Sequence, residues 1–227
     1  MELTFDEAMA TELLGILSKF GFDKVLKDFT RSNYEDWIRK VLISDADVSS
    51  MDGVDDGCIF YGSNYDVYVA SGASKVVFWT DCGDSVFKMG FNKLRCDYCG
   101  LEAEYFAEAK KLGLEEFFAA TEFVMYYNGI RIYKAERAEV SFERLSSDLY
   151  EKLKSDGMDE DTISDTIDEA DSCCEFMNWL VPYYTDSEKA DELFEFLNES
   201  DINDLHSGNI GYIGNRLVLI DYSGYRG

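Results

Sequence analysis

Basic residues are scarce in this 227-residue chain: 21 Lys and Arg stand against 46 Asp and Glu, a formal net charge of −25 at neutral pH. Repulsion on that scale argues against nucleic acid and anionic membrane surfaces as partners. The excess is concentrated, since residues 145–205 hold nineteen acidic residues and three lysines. A solvated face is the ordinary reading of such a run; a docking face for a basic protein partner or a cationic substrate is the other. No apolar run approaches the roughly eighteen residues of a membrane span, and no basic-then-apolar leader opens the chain. The expectation is a cytoplasmic protein without a membrane partner. His and Pro occur once each. Of the six Cys, Cys96 and Cys99 form a lone CxxC with no second Cys or His pair at zinc spacing, and Cys173 adjoins Cys174. Without a secretory leader, all four read as reduced thiols acting as small buried hydrophobes. No internal repeat or low-complexity segment stands out.

What the chain has is apolar content, 46%, enough for one good core or two small ones packed together. From Phe5 to about Leu42 the apolar residues fall at helical spacing, with Leu13, Leu14, Leu17 and Phe20 on one stripe and Trp37, Val41 and Leu42 on another. Thr4 and Asp6 suit the first turn. Residues 44–57 read as a loop. The pattern then changes to strands at 65–70, 76–79 and 85–91, with Gly72 to Lys75 in the first connection. An amphipathic helix follows over about 97–112, with Tyr105, Phe106, Ala109 and Leu112 on a stripe that Glu102 begins. A carboxylate on an apolar, inward face needs a cation, and Lys88 is the available one; Glu104 is the rival partner. Two more strands at 117–127 and 130–140 join at Asn128 and Gly129, a strong hairpin signal. Helices are expected again at 142–153, 163–180 and 186–197, with a break at Pro182.

The last stretch carries the chemistry. Asp204, Leu205, His206, Ser207, Gly208 and Asn209 are followed by two short apolar runs, 210–213 and 217–220, around Gly214 and Asn215, and then by Asp221. A tight hairpin there brings Asp204 and Asn209 close to Asp221, so oxygen donors from two stretches face one volume, as a hard divalent cation with substrate phosphates requires.

The string DLHSGN, a hairpin, then IDYSG resembles the catalytic loop and metal-binding Asp of the protein-kinase-like superfamily, closest to its aminoglycoside and small-molecule phosphotransferase branch. The resemblance implies an α+β two-lobed fold: an N-terminal helical extension over 1–57, an N-lobe over 58–138 with a five-stranded antiparallel sheet and one αC-type helix, and a shortened helical C-lobe over 139–227. It implies ATP and Mg²⁺ as cofactors and a small-molecule or protein hydroxyl as acceptor of the γ-phosphoryl group. Asp204 then stands as the catalytic Asp, Asn209 and Asp221 as metal ligands, and Lys88, paired with Glu102, as the phosphate-holding Lys. Gly72 and Ser74 mark the phosphate-covering loop, with a single Gly in place of the glycine-rich pattern. The main chain near Glu136 and Ala138 takes the adenine. One departure is Ile202, where the family usually has a His that braces the loop. The rival function is a non-catalytic pseudokinase acting as an acidic interaction module; an acidic decoy for a nucleic-acid-binding protein is a third.

Overall fold

Thr4 starts the first helix as the sequence suggests. Its hydroxyl accepts the Glu7 amide while the Glu7 carboxylate accepts the Thr4 amide, a reciprocal cap for α1 (Phe5–Lys19). In this computed structural model, which describes residues 4–42, 57–62, 64–92, 94 and 96–223, α2 (Phe22–Leu26) and α3 (Arg31–Leu42) follow. Leu13, Leu14 and Leu17 are buried as their spacing requires, whereas Phe20 ends α1 and lies exposed. The loop expected over 44–57 lies outside the described residues except for Gly57, which opens a strand.

The sheet has six antiparallel strands: β1 (Gly57–Tyr61), β2 (Asp66–Ser71), β3 (Lys75–Thr80), β4 (Ser85–Gly90), β5 (Thr121–Tyr127) and β6 (Ile130–Glu136), in the order β1-β2-β3-β4-β6-β5. The five expected strands form a continuous five-stranded antiparallel sheet, and β1 pairs onto its β2 edge. Both late strands are shorter than their apolar runs suggest. Glu115–Phe117 forms a 3₁₀ turn before β5, and β6 stops at Glu136. Asn128 and Gly129 both take positive φ, 49° and 84°, as a type I′ turn requires.

Strand alternation divides the sheet into two faces. Val67, Val69, Val76, Phe78, Phe87, Met89 and Ile132 pack with Leu14, Leu17, Phe22, Phe29 and Ile38 in one buried cluster. The three N-terminal helices, expected as an extension, thus share a core with the sheet. The chain divides into two units, Met1–Ala103 with Thr121–Arg137 and Glu104–Ala120 with Ala138–Gly227. The opposite face of the sheet carries Lys75, Val77 and Trp79 of β3 against Gly90, Lys88 and Val86 of β4.

The fourth helix, α4 (Tyr98–Leu112), begins in the first unit and ends in the second. Tyr105, Phe106 and Ala109 are buried as expected, but Leu112, in the last turn, is 56% exposed. The remaining helices of the second unit are α5 (Phe142–Ser155), α6 (Glu160–Ser172), α7 (Phe176–Tyr184) and α8 (Ser187–Glu199). The long helix expected over 163–180 is two. Cys174 adopts φ 60° and breaks the run, whereas Pro182 lies inside α7, which continues to Tyr184. Pro182 forgoes the bond its N–H would make to the Asn178 carbonyl, a local loss that α7 tolerates over its last two residues. Of the four cysteines read as buried hydrophobes, Cys99 is buried, Cys96 and Cys174 are half-buried and Cys173 is exposed.

β7 (Ile210–Ile213) and β8 (Arg216–Leu219) form the C-terminal hairpin. Among its two turn residues Gly214 has φ 63° and Asn215 does not take a positive φ, the pattern of a type II′ rather than a I′ turn.

Candidate functional site

In the first unit, Glu102 is fully buried and its two carboxylate oxygens are held by two lysines. Lys88 Nζ lies 2.6 Å from Oε2, and Lys75 pairs with Oε1. The lysines are 5% and 3% exposed. Both have further contacts. Glu104, the rival partner, points to solvent. The partner that the sequence does not single out is Lys75, whose place next to Gly72 to Ser74 reads as the end of a loop. Its signal was alternation: Lys75, Val77 and Trp79 share a strand face, and Lys75 is strand residue one of β3.

The start of α4 aims Glu102 at these lysines. Asp97 accepts the Gly100 amide through Oδ1 (3.0 Å), and through Oδ2 it accepts Tyr133 Oη (2.7 Å) and Arg131 (3.0 Å). A Cβ on Gly100 would stand 2.8 Å from Asp97 Oδ2 and 3.0 Å from Tyr133 Oη, so a side chain there would push these two groups aside. Cys99 is buried one turn before Glu102, and burial pushes its thiol up to about 12. Ala70, Val77, Val86, Tyr68 and Trp79 are half-buried; Tyr68 and Trp79 stack at 5.8 Å.

Gly72 and Ser74 lie in the three-residue turn between β2 and β3. The Gly72 amide donates to the Lys75 carbonyl (3.0 Å), and the Ser74 carbonyl accepts the Phe91 amide (2.9 Å). Gly72 has open space around it and an ordinary φ, so nothing local demands glycine there. At the end of β6, Arg137 donates its amide to Asp84 O, and Glu139 exchanges two main-chain bonds with Tyr212. Ala138 lies between them, and among the described residues its main chain makes no hydrogen bond. Glu136 closes β6 opposite Ser85.

In the second unit, the loop after α8 is built around Asn209, which is 7% exposed. Its side-chain amide donates to the Asp204 carbonyl (2.8 Å), and its own carbonyl accepts the Ile220 amide (3.0 Å). The hairpin register pairs Ile210 with Leu219, which brings Ile220 to the Asn209 carbonyl and puts Asp221 at the next position along the chain. Asp204 is exposed; Asp221 is half-buried, accepts Ser223 Oγ at 3.2 Å and has a further contact. Tyr222 anchors the next position, fully buried, with its hydroxyl on the Ala119 carbonyl (2.8 Å) and its ring 5.0 Å from Phe118.

His206 braces the loop from outside. Its Nδ1 accepts the Gly208 amide at 3.0 Å, and Nε2 lies 3.8 Å from Asp204 Oδ1. A Cβ on Gly208 would approach the His206 ring to 2.8 Å. Ile202 is 3% exposed, an apolar side chain anchored just ahead of Asp204. Farther along, Asp148 accepts hydroxyls from Tyr184 and Tyr212 (2.8 Å for Tyr212), and Arg144 lies 4.0 Å over the Tyr212 ring. These contacts hold β7 to α5.

Among the described residues no group of three or more His, Cys, Asp or Glu is arranged to hold a metal ion. The donor set here suits a different kind of cation site. With its amide nitrogen spent on Asp204, Asn209 has Oδ1 left as an acceptor, and Asp221 adds a carboxylate. Mg²⁺ takes one or two protein oxygens and completes its shell with water and substrate phosphates, and an Asn oxygen with an Asp carboxylate is a donor set of that chemical type.

No protein-family model matches this chain, and no curated protein matches it in sequence.

Proposed function

We propose that this chain is a kinase-like phosphotransferase that binds ATP with Mg²⁺ and transfers the γ-phosphoryl group to a hydroxyl of a small molecule or protein. The observation that carries the reading is Asn209: one residue ties down the Asp204 carbonyl with its side chain and the approach to Asp221 with its main chain. A surface turn has no need of a buried Asn linking two acidic residues distant in sequence. The buried pairing of Lys88 with Glu102 supports the same reading from the first unit. Phosphoryl transfer needs positioning and charge neutralisation more than covalent chemistry.

In this reading the Asp204 carboxylate orients the acceptor hydroxyl and takes its proton as the oxygen bonds to the γ-phosphorus and the bond to the β–γ bridging oxygen breaks, leaving ADP. Asn209 Oδ1 and Asp221 hold Mg²⁺, which neutralises charge on the phosphate oxygens. Lys88, braced by Glu102, holds the phosphates. The main chain near Glu136 and Ala138 is the adenine contact.

A thermal-shift titration tests this. Saturating ATP with Mg²⁺, at a hundred times the dissociation constant, raises stability by about 2.7 kcal/mol. The shift should require the metal and vanish in Asp221→Ala, and Asp204→Ala should abolish turnover while keeping the shift. Absence of any shift at millimolar ATP sinks the reading. The rival is then the non-catalytic interaction module, favoured by α6, where Asp161, Asp165, Asp168, Glu169 and Asp171 are all exposed and could meet a basic partner.

A further inference from the structure

Ile130 and Ile132 both enter the core that the sheet shares with the N-terminal helices, so strand alternation turns Arg131 to the opposite face. There its Nη1 donates to Asp97 Oδ2 at 3.0 Å and its Nε to the Tyr126 hydroxyl at 3.3 Å. Neither bond engages Nη2, which carries two further donors. The side chain is 51% exposed, so holding Asp97 leaves much of the guanidinium uncovered.

Arg131 lines a cleft between the β5–β6 turn and the segment after β4. The cleft holds about 470 Å³, within the range of small-molecule sites. Phe91, Ile130 and Tyr126 give it an apolar lining, and Asn92 adds a side-chain amide with no partner among the described residues. The Asn92 main chain is anchored separately, its N–H on the Phe29 carbonyl. Asp97, the acidic side chain in the lining, is already hydrogen-bonded on both oxygens, by Gly100 and by Tyr133 with Arg131. Nη2 and the Asn92 amide remain to meet an oxyanion, for which a guanidinium has the matching planar fork. Charge agrees. In a chain with 46 acidic and 21 basic residues, residues 89–96, which supply one side of the cleft, hold two basic residues and no acidic one. Beside it, Tyr126 and Phe123 meet edge to face at 5.2 Å and are 60% and 48% exposed, a rigid apolar surface that the described chain leaves uncovered.

We propose that this cleft binds a small molecule with a planar apolar body that ends in an oxyanion, a carboxylate or a phosphate. The body lies against Tyr126 and Phe91, and the oxyanion takes Nη2 of Arg131 and the Asn92 amide. The site does not depend on the phosphotransferase reading. Its place still bears on that reading, because Arg131 also holds Asp97, whose carboxylate caps the start of the helix that carries Glu102.

The test is an NMR titration of the isotope-labelled full chain with benzoate, phenyl phosphate and, as the uncharged match, benzamide. The expected result is saturable shifts at Asn92, Ile130 and Arg131 with an anion, at an affinity at least about 10-fold tighter than for benzamide; the tighter anion tells carboxylate from phosphate. In Arg131→Gln the anion should bind about 10- to 100-fold more weakly, the range of a charge-assisted hydrogen bond. Asn92→Asp, which sets a carboxylate in the oxyanion's place and disturbs no side-chain bond, should weaken it at least as much, and decides the matter should Arg131→Gln loosen the helix start. Benzamide binding as tightly as the anions, anion affinity unchanged in either folded variant, or no saturable shift at the cleft overturns the proposal.

Discussion

At the scale of single residues, Glu102 is the most consequential carboxylate in the first unit. Removing it leaves two ammonium groups buried beside each other, so Glu102→Ala should cost about 3–5 kcal/mol, as breaking a buried pair does, whereas Glu102→Gln should cost less because it keeps an acceptor. Urea denaturation of the two variants measures the difference. Cys99 adds a pH dependence. Burial raises its thiol from 9.0 to about 12 in the folded protein. As pH rises, the unfolded chain releases that proton first, so this contribution is complete below about pH 9 and is lost between there and pH 12, by up to about 1.4 kcal/mol per pH unit. Denaturation of wild type and Cys99→Ala near pH 8 and near pH 10 should show the stability gap closing on the alkaline side. A gap that stays constant rules out the linkage.

At the scale of elements, the C-terminal hairpin is positioned by close backbone approach. A Cβ on Gly211 would stand 2.8 Å from the Glu139 carbonyl and 3.0 Å from the Ala138 Cβ, and the neighbouring Tyr212 exchanges both main-chain bonds with Glu139. Gly211→Ala should therefore separate β7 from the 138–139 segment and destabilise by about 1–3 kcal/mol, the usual range for overpacking. On the phosphotransferase proposal the same substitution should also weaken ATP binding, because Ala138 adjoins the joint and the Asp204 loop leads into β7. Thermal unfolding with and without ATP reads both effects. On the other side of the molecule's sequence, α1 to α3 cover an entire sheet face. Their burial of Phe78, Phe87 and Val76 means that a chain beginning at Gly57 should be insoluble or bind a hydrophobic dye, in contrast to the full chain.

At the scale of the whole molecule, a net charge of −25 makes self-repulsion a term in stability. Raising salt from about 20 mM to about 500 mM shortens the screening length from roughly 20 Å to a few Å and should raise the melting temperature. Differential scanning calorimetry at the two salt concentrations measures it, and a melting temperature that falls with salt would show attractive ion pairs outweighing repulsion. The density of acidic side chains on α6 places part of that charge on one exposed helix face, so the effect should shrink when several of its carboxylates are neutralised together.

Much of this protein was readable in order along the chain. Alternating and helical apolar spacing indicated most of the strands and helices though not all their ends, Asn128 and Gly129 set the β5–β6 turn, and the hairpin after Asn209 pointed to Asp221. These are local properties, carried by neighbours in sequence. What the tertiary structure decided is of longer range. Lys75 joined Lys88 on Glu102 only because β3 begins one residue earlier than its apolar run. The single long helix became α6 and α7 because Cys174 takes a left-handed backbone. The N-terminal helices became part of the sheet's core because one face of that sheet is too apolar to meet water. In each case the deciding energy is the burial of groups far apart in sequence, which periodicity along one segment does not contain.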